Sequence, residues 1–348
     1  MMNMSTTQNL RKINKDKIIK AFHELGECNK NQLSQYTSLS IGTCNNILRE
    51  LLESREVIMG DGFESTGGRK PKSYKLNSHY SKILTISFHK EYRKNYIIYY
   101  ILRVYNNVDE LLYETTKKPT SMKFDILCQD IEDIMTQYKN IKVVSIAIPG
   151  VISQDGCLEE ISLAEGFNEL KGIHLSQEIS QKFNVKVLID NDVNVTAIGY
   201  YSDHKALSHL GFIYQPSEDT AGAASIVNGQ LQRGKHHFVG ELSYLPFLTR
   251  QQQFDYIKTK EGCIELLSLY IVTMIIMNDP DCICISCALL DSIDPLVKAV
   301  EKHLPYHHLI PEMTLIGEIN QHIFKGLLEM SHEASTSNLV MTKQSIFE

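Results

Sequence analysis

The stretch Val185-Lys186-Val187-Leu188-Ile189-Asp190-Asn191-Asp192-Val193-Asn194 constrains the rest of the chain more than any other. It begins as a β-branched apolar run, the pattern of a buried strand, and changes within one residue to acids and amides. Val195-Thr196-Ala197-Ile198-Gly199-Tyr200-Tyr201 then continues with helical spacing. A strand that runs straight into a helix belongs to an α/β sheet, and open sheets of that kind place ligands at the C-terminal ends of their strands. A purely local use is also open: Asp190 and Asp192 suit the cap of the following helix. The surrounding chain has to decide between them.

Around this stretch, strands and helices recur in two halves. Residues 83–88, 96–104 and 110–115 read as an antiparallel start, followed by an amphipathic helix at 124–138 and a buried strand at 143–148 that ends at Pro149-Gly150. A helix over 169–183 leads into the stretch above. Strands at 209–215 and 223–227, turned by Asn228-Gly229, precede a helix over 261–277, a strand at 282–287 and helices to about Glu333. The pattern predicts a two-lobed α/β body with a cleft, divided as 79–190 and 191–333, with a tail over 334–348. A chain of 348 residues is long enough for this body and one further domain. The apolar run over 266–277 is broken by Ser268 and Thr273 and is too short to span a bilayer, so it reads as a core helix. No secretory signal follows Met1, and eight cysteines lack the spacing of a disulfide framework. A reducing cytoplasm, with no membrane partner, is the expected location.

Residues 1–77 carry 12 Lys+Arg against 8 Asp+Glu, while the remainder carries 23 against 33. A basic module on an acidic body places any polyanion at the N-terminus. A helix from Asn14-Lys15-Asp16 puts Ile18, Ile19, Phe22 and Leu25 on one face, and Gly26 stops it. A second opens at Asn29-Lys30-Asn31 with Leu33 and Tyr36 inward. After Thr37-Ser38-Leu39, Ser40 caps a third helix whose apolar positions are Ile41, Cys44, Ile47, Leu48, Leu51 and Leu52. This is a helix-turn-helix pattern, with Gly42, Thr43, Asn45, Asn46 and Arg49 outward. Two strands, 57–59 and 72–76, flank a tip containing Gly67, Gly68, Arg69 and Lys70, the composition of a wing. Ser40, Thr43, Asn45, Asn46, Arg49 and the four tip residues are therefore the expected contacts to double-stranded operator DNA. Paired half-sites call for a homodimer or homotetramer.

Leu39-Ser40-x-x-Thr43 together with Gly67-Gly68-Arg69-Lys70-Pro71 resembles the winged helix of ROK-family repressors. The body extends the likeness. Ala147-Ile148-Pro149-Gly150-Val151, Ile189-Asp190-Asn191-Asp192-Val193-Asn194, Asn228-Gly229-Gln230-Leu231-x-Arg233-Gly234 and Gly240-Glu241-Leu242 follow the family's order. The resemblance implies a ribonuclease-H-like body of the sugar kinase and actin-like ATPase kind. It implies a catalytic base at Asp192, and sugar hydroxyls held by Asn191 and Glu241. The nucleotide elements depart from the family. Ser87-Phe88-His89-Lys90-Glu91-Tyr92 stands where a glycine turn should follow the first strand. Glu218-Asp219-Thr220-Ala221-Gly222 keeps one glycine of the second turn and adds two carboxylates, and Ser286-Cys287-Ala288 replaces a glycine-rich adenosine contact. Phosphoryl transfer depends on backbone N–H groups around the phosphates. The expectation is a repressor of carbohydrate-related genes with a catalytically inactive body, no cofactor, and a sugar or sugar derivative as effector. The alternative is an ATP-dependent sugar kinase or a bifunctional kinase-repressor.

No metal site is expected. Cys282-x-Cys284-x-x-Cys287 lies in a strand-like run, where 282 and 284 share a face and 287 does not. The family's zinc uses a histidine, where this chain has Tyr244, and three cysteines, of which Cys263 alone remains. One thiolate cannot make a tetrahedral site. His236 and His237 are adjacent and read as solvated.

Overall fold

The computed structural model describes residues 6–62, 72–92, 96–159, 166–304 and 306–336. The N-terminal module starts with α1 (Thr6–Leu25), which begins well before Asn14 and ends at Gly26, whose φ of +67° lets the chain turn off the helix. β1 (Cys28–Asn29) then leads to α2 (Lys30–Thr37), where Asn29 and Gln32 form a reciprocal capping box. Ser38, left-handed at φ 57°, turns the chain into α3 (Ile41–Glu53), and the Ser40 hydroxyl accepts the Thr43 N–H at 3.1 Å. β2 (Val57–Met59) and β3 (Ser73–Leu76) complete a three-stranded sheet in the order β1-β3-β2. Ile18, Phe22, Leu33, Cys44, Ile47, Leu48, Leu51 and Tyr74 share one core. Leu25, Tyr36 and Ile41, placed inward by periodicity, are exposed instead. Each lies at a helix end, where the neighbouring helix no longer covers it.

The first sheet of the body follows. β4 (Lys82–Tyr92), β5 (Tyr96–Asn106) and β6 (Leu111–Lys117) form the antiparallel start, α4 (Phe124–Gln137) crosses over, and β7 (Ile141–Ile148) pairs parallel to β4. The helix expected over 169–183 is shorter. Asn168–Leu170 is a single 3-10 turn, Gly172 at φ +75° breaks the path, and α5 (Leu175–Phe183) starts afterwards. β8 (Lys186–Asn191) closes the order β6-β5-β4-β7-β8. It is an edge strand, which is why its apolar residues are half-buried and not fully enclosed.

α6 (Asp192–Ser202) leaves β8 without a linker. β9 (His209–Gln215), β10 (Gly222–Val227) and β11 (Gln230–Leu231) are antiparallel, and α7 (Arg250–Tyr256) and α8 (Lys260–Asn278) come next. β12 (Cys282–Cys287), α9 (Asp294–His303), β13 (Glu312–Ile316) and α10 (Asn320–Thr336) end the described chain. The second sheet has the order β11-β10-β9-β12-β13. β13 falls where only helices were expected; Met313 is flanked by Glu312 and Thr314, and the strand pairs parallel along the edge of β12. α8, with 19 residues, has the length and composition of a membrane-crossing helix, but Leu266, Leu267, Tyr270 and Ile271 are buried in the core that packs on the second sheet. α10 returns to the first sheet, and α6 and α10 share a core with the second sheet through Val195, Phe212, Ile323 and Phe324.

Candidate functional sites

On α3, Asn46 and Gly42 are exposed, and Asn46 accepts a hydrogen bond from Arg49 Nη2 at 2.7 Å. The Thr43 hydroxyl lies 2.9 Å from that of Ser40, so both serve the cap. Asn45 differs from the outward placement expected of it. It is half-buried with its Oδ1 enclosed, in a groove with Lys30, Arg49 and Tyr74, because it follows Cys44 on the flank that faces the sheet. Gly67, Gly68, Arg69 and Lys70 lie outside the described residues.

The stretch that opens the chain's second half divides its labour residue by residue. Asn191, not an aspartate, caps α6: its Oδ1 accepts the N–H groups of Val193 at 2.8 Å and Asn194 at 3.3 Å. Its Nδ2 donates to the Gly150 carbonyl at 2.9 Å, which fastens the end of β8 to the turn after β7. Asp190 is buried. Its Oδ1 accepts from the Asn191 N–H and from Asn194 Nδ2, both at 2.8 Å, and its Oδ2 accepts from Arg233 Nε at 2.8 Å. The sequence showed Arg233 as part of a turn motif, but nothing in the spacing paired it with Asp190. An acid at the end of a buried strand requires a cation; which cation is a matter of tertiary structure.

Asn191, Asn194, Gly150, Gly222, His237 and Glu241 line one small cleft of about 20 Å³. Glu241 is half-buried there, and burial followed by the charge of Asp192 pushes its carboxyl up to about 7. Burial also raises Asp192 to about 6, against the pull of the Val193 N–H and Lys90. Two desolvated carboxyls that repel each other invite hydrogen-bond donors from a ligand, and a polyol supplies them.

On the side where the resemblance placed phosphates, residues 87–92 continue β4 in register with β5, so strand stands where the glycine turn was expected. Lys90 Nζ donates instead to Asp219 Oδ2, and the Asp219 Oδ1 accepts the Thr220 N–H at 2.8 Å. Lys90 and Asp219 are 10% and 18% exposed, so the ion pair occupies the interior of this region. His89, stacked on Tyr99, is held down to about 4 by burial and adds no charge near neutral pH. Of the cysteines, Cys263 and Cys287 lie Sγ to Sγ at 3.6 Å, and among the described residues no cysteine joins a cluster able to hold a metal.

The raised carboxyl of Glu241 has a measurable consequence. Between its ordinary 4.5 and about 7 the folded chain binds more protons than the unfolded one, so this group's contribution falls as pH rises through that window. Glu241→Gln is expected to be more stable than the parent at pH 8, by on the order of 2 kcal/mol, and equal to it below about pH 4. Urea unfolding at several pH values measures this; a difference independent of pH would refute the assignment.

Two mixed five-stranded sheets with α6 and α10 packed between them define an α/β body of the sugar-kinase-like kind. Residues 100–268 match the model of the ROK family. The xylose repressor of Caldicellulosiruptor bescii is 26% identical over 241 residues, which cover 68% of this chain and 59% of that protein. The chain thus spans 59% of the length of this curated relative. Among solved structures, a ROK family transcriptional regulator, homologue of the E. coli MLC protein, superposes with a TM-score of 0.69 at 16% identity, covering 93% of this chain and 99% of that one. A ROK hexokinase from Thermus thermophilus does so with a TM-score of 0.57 at 12% identity, covering 72% and 99%. The fold is shared by a regulator and an enzyme, so function has to be argued from the sites.

Proposed function

We propose that the chain is a sugar-responsive DNA-binding repressor whose body performs no phosphoryl transfer. Residues 1–78 act as a winged helix-turn-helix, 79–190 and 191–333 as the two lobes of the sensor, and 334–348 as a tail. α3 enters the major groove of operator DNA with Asn46 and Arg49, while Ser40, Thr43 and Asn45 support its N-terminal half and Gly67, Gly68, Arg69 and Lys70 reach the backbone or minor groove. The effector is a sugar or sugar derivative held by Asn191, Asp192 and Glu241. The name of the C. bescii relative makes xylose the first sugar to try. Binding at paired half-sites makes the regulator a cytoplasmic homodimer or homotetramer.

The observation that carries this reading is the Lys90–Asp219 ion pair on the phosphate side of the cleft, in a chain that also presents Asn46 and Arg49 on a capped helix. Glycine N–H groups that would surround oxyanions are replaced there by a carboxylate with its counter-charge already bound. One observation favours the kinase alternative: Asp192, raised to about 6, has the desolvated carboxyl of a general base. The two are separated by nucleotide binding. ATP with magnesium is expected to leave the melting temperature unchanged while a sugar raises it, and turnover lost in Asp192→Ala would establish the kinase. On the DNA side, Arg69→Ala is expected to lower operator affinity at least tenfold, about 1.4 kcal/mol, in gel shifts at fixed salt. An unchanged midpoint removes the wing assignment.

A further inference from the structure

Three side chains from distant parts of the sequence meet where the N-terminal module touches the body. His23 lies in the last turn of α1, Asp109 in the turn between β5 and β6, and His332 in α10. His332 Nε2 is 2.9 and 3.1 Å from the two oxygens of Asp109, and His23 Nδ1 is 3.6 Å from Oδ2. The imidazole centroids are 3.9 Å apart, and the three ligand atoms all fall within 4.8 Å of one another. We propose that His23, Asp109 and His332 form a binding site for a transition-metal dication of the zinc class, which fastens α1 to the body.

The donor set selects the ion. Two imidazoles and one carboxylate suit zinc, nickel, copper or iron, whereas magnesium and calcium require oxygen ligands. Ligand atoms bound tetrahedrally at about 2.1 Å stand about 3.4 Å from each other, and the His–Asp pairs, at 2.9, 3.1 and 3.6 Å, already stand near that spacing. Three protein ligands leave a fourth position for water. A dication supplies the positive charge once and uses a lone pair from each ring. His23 and His332 are 15% and 20% exposed and Asp109 is 37% exposed, so the site is enclosed by protein yet reachable from solvent. The same junction is held by Lys205 Nζ on Glu24 at 2.6 Å, with Val108 against the core of the N-terminal module. A metal bond here would add to contacts already in place. The sequence, through its cysteines and the His236-His237 pair alone, predicts no metal site; these ligands come from three separate segments with no sequence spacing to reveal them.

The test uses the full chain without a histidine tag, dialysed against Zn²⁺, with metal content measured by mass spectrometry and no DNA present. One equivalent per chain is expected. His23→Gln combined with His332→Gln keeps polar side chains of similar reach and is expected to weaken binding at least tenfold, with an unchanged circular dichroism spectrum. Asp109→Asn is a second variant that preserves the turn, and it is expected to show the same loss. Co²⁺ in place of Zn²⁺ should give ligand-field bands without thiolate-to-metal charge transfer. Failure to bind one equivalent, undiminished affinity in both variants, or a thiolate band would each overturn the site. Because DNA is absent from the experiment, its outcome is independent of whether the module binds an operator.

Discussion

Gly199→Val is expected to lower the unfolding free energy by about 4 kcal/mol or more, a large share of the marginal stability of a typical domain. A Cβ at Gly199 would stand 1.8 Å from the carbonyl oxygen of His322 and 2.8 Å from the Gly326 nitrogen. The reciprocal position is as tight: a Cβ at Gly326 would meet the Val195 carbonyl oxygen at 2.0 Å. The obstacles are backbone atoms in α6 and α10, so no rotamer change relieves them and the helices must move apart. Separation would open the core that Val195, Phe212, Ile323 and Phe324 form between the helices and the second sheet. Gly317→Ala is the control, since nothing lies within 4 Å of its Cβ position; it is expected to change stability by no more than about 0.5 kcal/mol. Urea titration of both variants decides the matter, and a loss below about 1 kcal/mol for Gly199→Val would show that the close crossing carries little energy. The functional stake is that α6 begins at the cleft beside Asn191, while α10 ends at the junction with α1. If the body senses a sugar and the N-terminal module binds DNA, this pair of helices joins them.

Local chemistry was legible in the sequence, and long-range pairing was not. Ser40 and Asn29 declare the starts of α3 and α2 because a cap acts within three residues of itself. Most strands and helices of both sheets follow from periodicity; β11 and α7 do not, the helix before β8 is shorter than expected, and β13's short pattern is ambiguous between strand and helix. Motif order predicts Asn191, Asp192 and Glu241 at one cleft; Asn191 and Glu241 line it, and Asp192 lies near enough for its charge to act on Glu241 without lining it. The division of roles among them was not visible. Asp190 and Asp192 both read as helix caps; the structure gives the cap to Asn191, pairs Asp190 with a residue 43 positions away, and sets Asp192 near Lys90. Likewise, Asp219 was seen as a carboxylate unwelcome to phosphate, but its partner Lys90 lies 129 residues earlier on another sheet. Gly199 and Gly326 look like weak points in two helices until the helices are seen to cross.

Arg233→Met is expected to cost about 3 kcal/mol, again in urea unfolding near neutral pH. The Asp190 side chain is only 5% exposed, so removing the guanidinium leaves a buried carboxylate that keeps its hydrogen bonds from Asn191 and Asn194 but has lost its counter-charge. Arg233 is 30% exposed, and after the complementary change Asp190→Asn its guanidinium can be hydrated where it stands. Asp190→Asn should therefore cost less, on the order of 1 to 2 kcal/mol. Combining the two leaves neither an unpaired anion nor a stranded cation, so the double variant is expected to be more stable than the sum of the single losses predicts, with a coupling of about 1 to 3 kcal/mol. Additive losses would mean that Arg233 acts through packing and not through its charge. The coupling also bears on the cleft. Asp190 Oδ1 is bonded to the Asn191 N–H and the Asn194 side chain at once, so the ion pair behind it fixes the first turn of α6. If Asn191 and Asp192 hold a sugar, Arg233→Met should weaken that sugar's binding in calorimetry while the double variant recovers part of it, because what the ligand meets is a helix end held in place by a charge pair it never touches.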